Sequence, residues 1–442
     1  MDRNTIFKHH QLILYLVILL LLMITWGDYA AAAERLQHTG NPVIVVIDPG
    51  HGGDNNGTTE SGFLEKEMTM ATAKSMYQTL TQFQNIEVYL THWDDVDLSL
   101  KDRAVFAAEK KADFLISLHY NASESHQLFG SEVWISLFPE FHNPGYQLGT
   151  CFLREFREMG LHLRGIKTKP HSNGKDYYGI IREAAAREIP SIIVEHCHVD
   201  HASDNSFCDS EEELEAFGYA DALAVAKYFG LKSDSLGLDY SGENSLPEVN
   251  AAHTVQRAMY DQTEPDLCNI EIKEVSYEEC RVTLVLNARD SDSNLIDYAY
   301  SLDEGKSFSG RLPLPAGDIL TGELPDTYEL ELSLSEGYFP SVIVKVFNPY
   351  DLSTVSNAVS FTQPFQRPIV EPEPTEEPVF EDATALLLPE EEVPTADRIS
   401  ILLGYIKPVL AVVAILFLIC LTGFLILHKR NHSHRGRHSR RH

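Results

Sequence analysis

The chain has 442 residues, more than a single hydrophobic core usually accommodates, so we expect two folded domains with connecting and membrane segments. Its 65 acidic and 35 basic side chains give a formal net charge of -30, which argues against nucleic-acid binding over most of the surface. Six cysteines without any CxxC pair argue against a disulfide scaffold and a cysteine-based structural zinc site.

The N-terminus has the layout of a secretory signal peptide. Arg3 and Lys8 precede the apolar run Leu12–Trp26, and the small residues Ala30–Ala33 follow it. The apolar run is too short to span a membrane comfortably. We therefore predict a signal peptide over residues 1–33 and an exported chain, with an uncleaved N-terminal anchor as the alternative.

Residues 42–230 alternate short apolar runs with helical segments. Four runs are β-branched and nearly continuous in apolar character, as strands buried on both faces are: Val43–Ile47, Ile86–Thr91, Phe114–His119 and Ile192–Glu195. The helical segments are Glu67–Phe83, Leu100–Lys110, Tyr146–Met159 and Glu211–Phe229. The last begins with Ser210 and Glu213 at capping-box spacing and ends at Gly230. This alternation predicts a three-layer α/β domain with a covered, mostly parallel sheet.

Three polar residues of this region lie at the boundaries of predicted elements. His51 follows the turn Asp48–Gly50 at the carboxyl end of the first strand, where open α/β sheets place ligands. Glu65 precedes the first helix, and His119 ends the third strand. Two histidines and a carboxylate are the ligand set of catalytic zinc, which leaves a fourth position for water. His51 taken alone would more readily be a capping or core residue; the three together favour a metal site.

Short alternating strands replace the α/β pattern over residues 268–362. The clearest are Val282–Leu286, Tyr328–Leu334 and Val342–Phe347. They predict an immunoglobulin-like β-sandwich, joined to the first domain by an acidic linker over residues 231–267. Cys268 and Cys280 flank the first strand region, so they are candidates for a disulfide outside the cell.

The rest of the chain predicts a membrane anchor. Residues 363–398 carry seven prolines among many glutamates and should form an extended stalk, because such a segment cannot bury a core. Residues 408–427 contain no charge and would form a transmembrane helix of about 30 Å. The tail over residues 428–442 is basic, and basic flanks stay in the cytoplasm. We expect a single-pass protein of the cell membrane with an extracellular catalytic domain and a cytoplasmic C-terminus.

Several motifs of the first domain occur in the order and at the spacing of one enzyme family. They are VVIDPGHGG, GFLEKE, LTHWDD, LKDRAVFAAEKKADFLISLHYNAS and IIREAAAREIPSIIVEH. From Val43 to about Phe229 the chain resembles the family 3 N-acetylmuramoyl-L-alanine amidases, zinc enzymes of cell-wall turnover. The resemblance implies one zinc ion held by His51, Glu65 and His119, a catalytic glutamate at Glu195, and peptidoglycan as the substrate.

The implied roles are chemically consistent. Zinc lowers the pKa of its bound water from about 16 toward 7 and polarises the substrate carbonyl. Glu195 would take the proton of that water and pass it to the leaving amine, which an amide requires. A salt bridge with Arg182 or Arg187 is the structural alternative for Glu195. Asn121 and Arg182 are weaker candidates for substrate contacts, with a turn cap and a solvated side chain as the respective alternatives.

Two positions depart from the family's pattern. His92 stands where an arginine is usual, and Glu195 is followed by an unusual cluster rather than by Thr, Gly and Phe. The cluster consists of His196, Cys197, His198 and His201. A second metal site or a replaced ligand is one interpretation; because alternate strand residues point to opposite faces, we favour cleft lining or local hydrogen bonds.

Three functions remain open at this point. The first is the zinc amidase, and the second is a catalytically silent wall-binding or scaffold protein. The third is a zinc peptidase acting within the stem peptide, which would use the same metal ligands. The β-sandwich has no catalytic motif, so we assign it spacing or contact with a protein activator. Residues 124–141, with aromatics that we expect to be exposed, are the candidate for an autoinhibitory segment.

Overall fold

The computed structural model describes residues 41–242, 260–315, 319–320 and 324–368. The predicted signal peptide, transmembrane helix, basic tail and most of the predicted stalk lie outside the described residues, as does the middle of the linker. Within the described ranges, no helix combines the length and the apolar character needed to cross a membrane.

A six-stranded sheet forms the centre of the first domain. Its strands are β1 (Val43–Pro49), β2 (Ile86–Leu90), β3 (Phe114–Asn121), β4 (Ser131–Ile135), β5 (Leu163–Lys167) and β6 (Ser191–His198). They lie in the order β2-β1-β3-β6-β4-β5, and all neighbours are parallel except β4 and β6. The prediction of a mostly parallel sheet is confirmed. It missed β4 and β5, because β4 includes Glu132 and β5 contains Arg164, Gly165 and Lys167 beside only two apolar residues.

The helices of this domain are α1 (Glu65–Leu80), α2 (Leu100–Lys110), α3 (Pro139–Met159), α4 (Gly179–Ala185), α5 (Ala202–Asn205) and α6 (Glu211–Phe229). The bounds predicted for α2 and α6 are confirmed. Ser210 and Glu213 make both bonds of the capping box, and Gly230 ends α6 in the left-handed region. Helix α3 begins seven residues earlier than predicted and contains Pro144. Pro144 is the sixth residue of α3, so it removes one hydrogen bond of the helical ladder just beyond the first turn.

Helices cover both faces of the sheet, which gives the predicted three layers. Val45 and Ile47 of β1 face a cluster that includes Met76 of α1, Phe156 of α3 and Phe217 of α6. The intervening Val46 faces the opposite side, with Ala107 of α2 and Ile181 of α4. Because strand side chains alternate between faces, a strand covered on both sides is apolar at consecutive positions.

After α6, a short hairpin of β7 (Lys232–Ser233) and β8 (Leu238–Asp239) lies in the predicted linker. Two antiparallel sheets follow. The first has the order β13-β10-β9, with β9 at Leu267–Ser276, β10 at Arg281–Arg289 and β13 at Thr327–Ser333. The second contains β11 (Asp297–Ser301), β12 (Leu312–Pro313), β14 (Ser341–Phe347), β15 (Ser353–Val355) and β16 (Val359–Ser360). The two sheets share one buried cluster that includes Leu284, Leu330, Val344 and Phe365.

The candidate disulfide between Cys268 and Cys280, which the sequence left open, is not formed. Both thiols are free and buried. Cys268 lies opposite Ala288 in the register of β9 and β10, whereas Cys280 lies at the hairpin end, next to Arg281. Eight residues of strand separate these positions, which is about 26 Å at about 3.3 Å per residue. A disulfide requires Cα atoms less than about 7 Å apart.

The expectation of exposed aromatics over residues 124–141 is also wrong for two of them. Phe129 and Trp134 are buried, and Trp134 belongs to the interior strand β4. Residues 131–135 of this segment form β4 and residues 139–141 begin α3, and the argument for an autoinhibitory insertion is lost.

Candidate metal centre

Three predicted ligands come together at the carboxyl edge of the sheet. His51 follows β1, His119 lies in the last part of β3, and Glu65 begins α1. His51 Nε2 and His119 Nδ1 each lie 3.0 Å from the same atom, Glu65 Oε1. One ligand atom from each residue lies within 4.8 Å of the other two. The edge of the sheet thus brings together two imidazole nitrogens and a carboxylate oxygen.

The turn after β1 is shaped around this cluster. His51 has a φ of +67°, an uncommon conformation for a residue with a side chain. Gly50 packs directly on the imidazole of His119, since a Cβ at this position would lie 2.4 Å from His119 Cε1. The DPGHGG turn therefore has a steric requirement for glycine at position 50.

Each ligand is oriented by a further hydrogen bond on its far side. His51 Nδ1 lies 3.0 Å from Asn55 Oδ1, and His119 Nε2 lies 3.2 Å from Ser117 Oγ. Glu65 Oε2 accepts a bond of 2.8 Å from the backbone N–H of Thr58. Such outer contacts are typical of metal ligands, because they fix the ring orientation and the tautomer. The donor set therefore fits a single metal ion with an open position.

A buried ion pair between Arg103 and Asp48 stabilises the turn that carries His51. Arg103 Nη1 lies 2.8 Å from Asp48 Oδ1, and Arg103 Nη2 donates to the backbone carbonyl of His51 at 2.6 Å. Asp48 Oδ2 accepts from Ser117 Oγ at 2.8 Å, so the network reaches the histidine ligand His119. Sequence reasoning missed Arg103. The signal was a charged residue next to the apolar positions of a helix, which is costly to bury without a partner.

The charges of His51, Glu65 and His119 stabilise one another. Burial raises the pKa of Glu65, but hydrogen bonds and charge interactions with His119 and His51 outweigh it, and the net shift is strongly downward. Burial lowers the pKa of His51, but its hydrogen bond and charge interaction with Glu65 outweigh burial, and the net shift is upward. The carboxylate is therefore ionised, and His51 holds a proton more tightly than an ordinary histidine does.

Glu195 lies in β6 beside the metal ligands. It is the register partner of His119 on one side and of Glu132 in β4 on the other. Desolvation raises its pKa well above 4.5, and the charges of Glu65 and Glu132 raise it further, while Lys167 lowers it. A cation at the ligand cluster would favour the ionised form of Glu195. An unpaired carboxyl group beside an ion site is typical of a general acid or base.

The predicted alternative partners of Glu195 are engaged elsewhere. Arg187 pairs with Glu183 Oε2 at 2.8 Å. Arg182 Nη1 donates to the backbone carbonyls of Asp176 and Tyr177, at 2.7 and 2.9 Å. The salt bridge considered for Glu195 is therefore not formed.

The weaker substrate candidates are separated in the structure. Asn121 Nδ2 donates to Glu132 Oε1 at 3.2 Å, so it lies next to the register partner of Glu195. Arg182 in α4 holds the preceding loop through its bonds to backbone carbonyls. Substrate contacts of Asn121 and Arg182 stay predictions.

The cluster after Glu195 makes local contacts. His196 bridges Asp221 Oδ2 and the backbone carbonyl of His119, each at 2.9 Å. His198 Nδ1 lies 3.0 Å from the carbonyl of Gly130, and burial lowers its pKa to about 4. His201 caps α5, and Cys197 is buried. Across the described parts of the chain, His51, Glu65 and His119 form the one group arranged to hold a metal. The favoured interpretation, local hydrogen bonding, is confirmed for these histidines.

His92 also has a structural position. Its Nε2 lies 3.0 Å from the carbonyl of Pro49 and its Nδ1 lies 2.9 Å from the carbonyl of Asp94. It therefore ties the loop after β2 to the turn that carries His51. The usual arginine is absent here, but Arg103 Nη1 also donates to the carbonyl of Pro49.

Comparison with known proteins assigns the first domain to a family. A family model described as N-acetylmuramoyl-L-alanine amidase matches residues 45–227, which include the three candidate metal ligands and Glu195. Residues 45–227 belong to this amidase family. The match covers the sheet and helices of the first domain except for the first two residues of β1 and the last two of α6, and the resemblance inferred from the motifs is confirmed.

Curated relatives carry the same activity in their names. The N-acetylmuramoyl-L-alanine amidase CwlM of Bacillus licheniformis is 26% identical over 197 residues, covering 44% of this chain and 72% of that protein. The amidase LytC of Bacillus subtilis is 28% identical over 214 residues, covering 48% of this chain but only 40% of its own length. Among solved structures, the catalytic domain of the amidase CwlV of Bacillus (Paenibacillus) polymyxa is 26% identical, with a TM-score of 0.38, covering 43% of this chain and 99% of that one.

Proposed function

We propose that this peptidoglycan amidase cleaves the bond between muramic acid and L-alanine with one zinc ion held by His51, Glu65 and His119. The observation that carries the proposal is the convergence of His51 Nε2 and His119 Nδ1 on Glu65 Oε1, each at 3.0 Å. The family match to residues 45–227 supports it, because the match includes these ligands and Glu195.

Bound there, zinc would polarise the substrate carbonyl and lower the pKa of water from about 16 toward 7. Glu195 takes a proton from the attacking water and delivers it to the amine nitrogen of the alanine, which then leaves. Asn55 and Ser117 keep the two imidazoles in orientation during turnover. Asn121 and Arg182 are the proposed substrate contacts.

The remaining parts of the chain would position this domain at the wall. We propose an immunoglobulin-like sandwich that begins at residue 268 and includes Phe365, a stalk from there to residue 398, and a transmembrane helix over 408–427. The catalytic domain would then be extracellular, and the basic tail cytoplasmic. The shared buried cluster of the two antiparallel sheets supports the sandwich.

The decisive experiment is mass spectrometry of products from purified cell wall treated with the zinc-loaded protein. The expected products are intact stem peptides with a free N-terminal alanine. Chelation should abolish their release, and added zinc should restore it. Peptides cut within the stem would instead indicate a zinc peptidase, and the absence of any release would favour a silent wall-binding protein.

Glu195→Gln tests the proposed base separately from the metal. We expect bound zinc to stay near one equivalent, while kcat falls by about a hundredfold or more, as loss of a general acid–base group predicts. Glu183→Gln is the matched control, because Glu183 pairs with Arg187 away from the cluster. Full activity of Glu195→Gln would refute the role of Glu195.

A further inference from the structure

The turn between β14 and β15 reaches from the second domain into the first. Tyr350 Oη donates to the backbone carbonyl of Thr168 and accepts from its N–H, each at 3.1 Å. Thr168 directly follows β5. The ring of Tyr350 lies at 6.4 Å from that of Trp134 in β4, between ring centroids. The turn is therefore packed on the two strands at the edge of the central sheet.

The next residue, Asp351, completes a buried ion network. Asp351 Oδ1 lies 2.8 Å from Arg164 Nη2 and 2.6 Å from Arg311 Nη1. Arg164 belongs to β5 and is fully buried. Its Nε lies 2.9 Å from Glu132 Oε2 in β4. Asp351 thus connects through one arginine to a strand of the amidase domain.

Glu132 connects this ion network to the active site. Its Oε2 accepts from Arg164 Nε and from Lys167 Nζ, at 2.9 and 2.5 Å. Its Oε1 accepts from Trp134 Nε1 at 3.0 Å and from Asn121 Nδ2 at 3.2 Å. Glu132 and Glu195 are register partners in the antiparallel pair of β4 and β6. Directly opposed residues share a face of the sheet, and the charge of Lys167 acts on both carboxyl groups.

The charge balance of this network depends on the second domain. Within the amidase domain, Glu132 faces two buried cations, Arg164 and Lys167. The second domain supplies Asp351 and also Asp297, whose Oδ2 lies 3.7 Å from Arg164 Nη1. A buried ion that loses its partner is strongly destabilised. Without Asp351, Arg164 would interact more strongly with Glu132. Lys167 would then be displaced toward the other nearby carboxylate, Glu195.

We infer that Tyr350 and Asp351 are positioning residues of the amidase reaction. They anchor β5 and neutralise the charge of Arg164. Lys167 therefore stays paired with Glu132, and Glu195 is left without a cationic partner. The second domain then acts as a structural part of the active site rather than as a spacer. This inference rests on the proposed role of Glu195 as the proton carrier.

The test compares Asp351→Asn with wild type in the full-length, zinc-loaded chain acting on purified cell wall. We expect kcat to fall by about tenfold or more, as for partners that orient an active-site group, while KM and bound zinc stay within about twofold. Asp351→Glu should recover most of the lost kcat. Tyr350→Phe removes only the hydroxyl bonds to Thr168 and should lower kcat in the same direction by a smaller factor.

Leu330→Ala, in the buried cluster of the second domain, is the stability control. It should lower the melting temperature at least as much as Asp351→Asn does, yet keep the wild-type kcat below that temperature. Unchanged kcat in Asp351→Asn, or equal losses of kcat in Asp351→Asn and Leu330→Ala, would overturn the inference. An inactive wild-type protein with bound zinc would instead overturn the proposed function.

Discussion

Glu65 organises the site at the residue scale, because a single carboxylate oxygen accepts from both imidazoles. These contacts are ion pairs whenever an imidazole is protonated, and a bound metal would replace them. Proton and metal therefore compete for the same nitrogen atoms. We therefore expect the contribution of His51 to stability without metal to be lost as pH rises, and bound zinc to be lost as pH falls.

The stability of the chelated protein tests the first direction. The pKa of His51 is raised above 6.5, so its contribution is fully present below 6.5 and is lost as pH rises through the folded value. The pKa of Glu65 is lowered from 4.5, so its contribution is present above 4.5 and is lost as pH falls through the folded value. We expect the difference in melting temperature between wild type and His51→Ala to be largest between pH 4.5 and pH 6.5. A difference that grows steadily above pH 6.5 would contradict the assignment.

Zinc occupancy tests the second direction. Because His51 must lose its proton to bind metal and holds it above the ordinary value of 6.5, acidification should release zinc at a higher pH than an unperturbed histidine would allow. Bound zinc can be measured by elemental analysis after equilibration across a pH series. Full retention of zinc well below pH 6 would exclude this competition.

Gly50 allows a steric test of the centre. In Gly50→Ala the new methyl group would lie 2.4 Å from His119 Cε1 and 2.7 Å from His119 Nδ1, so the ligand ring must shift from its position. We expect zinc affinity to fall by about tenfold or more, since small displacements of ligands are costly. Gly242→Ala is the control, because no atom lies within 4 Å of its Cβ position. Equal zinc affinity in both variants would show that the turn adapts.

At the scale of elements, the packing of α1 on α6 sets the position of Glu65. Gly218 of α6 lies so close to α1 that a Cβ would be 2.4 Å from the carbonyl oxygen of Thr72 and 2.7 Å from the nitrogen of Met76. Both of these atoms belong to the backbone, which cannot rotate away as a side chain can. Because Glu65 is the first residue of α1, a shift of this helix moves the ligand.

Gly218→Ala should therefore separate the two helices. We expect a loss of about 1–3 kcal/mol in the free energy of unfolding, typical of overpacking, and weaker zinc binding. Chemical denaturation measures the first effect and competition with a chelator the second. Glu215→Ala on the exposed side of the same helix should change neither quantity. Wild-type stability in Gly218→Ala would mean that the helices can move apart freely.

At the scale of the whole molecule, the second domain extends to Phe365. This side chain is fully buried and packs against Tyr277, Phe339 and Phe361, although it lies beyond residue 362, the predicted end of the sandwich. The backbone there is also paired, because Phe365 and Gly337 exchange both hydrogen bonds. A chain cut after Phe361 would lose all these contacts.

Phe365→Ala should destabilise the second domain by about 3–5 kcal/mol, the usual cost of removing a buried phenylalanine. Thermal unfolding of the full chain measures the loss. Tyr338→Ala is the control, because Tyr338 is 61% exposed in the neighbouring segment. A melting temperature equal to that of the control would show that Phe365 does not contribute to the core.

The sequence by itself determined the α/β class, the edge of the sheet that carries the site, and the three ligands. These follow from local signals, since strands buried on both faces are apolar throughout and functional residues follow their carboxyl ends. The bounds of α2 and α6 also follow from local capping and periodicity. The family match then supported the amidase activity.

Only the tertiary structure decided the features that depend on distant partners. Strands β4 and β5 carry buried charges whose partners are up to 187 residues away, as in the pair of Arg164 with Asp351. A charge within an apolar run weakens the strand signal, because a sequence pattern does not reveal the compensating ion. The unformed disulfide has the same origin, since the register of β9 and β10 separates two cysteines that are near in sequence. Burial and pairing over long range, rather than local propensity, fixed these parts of the protein.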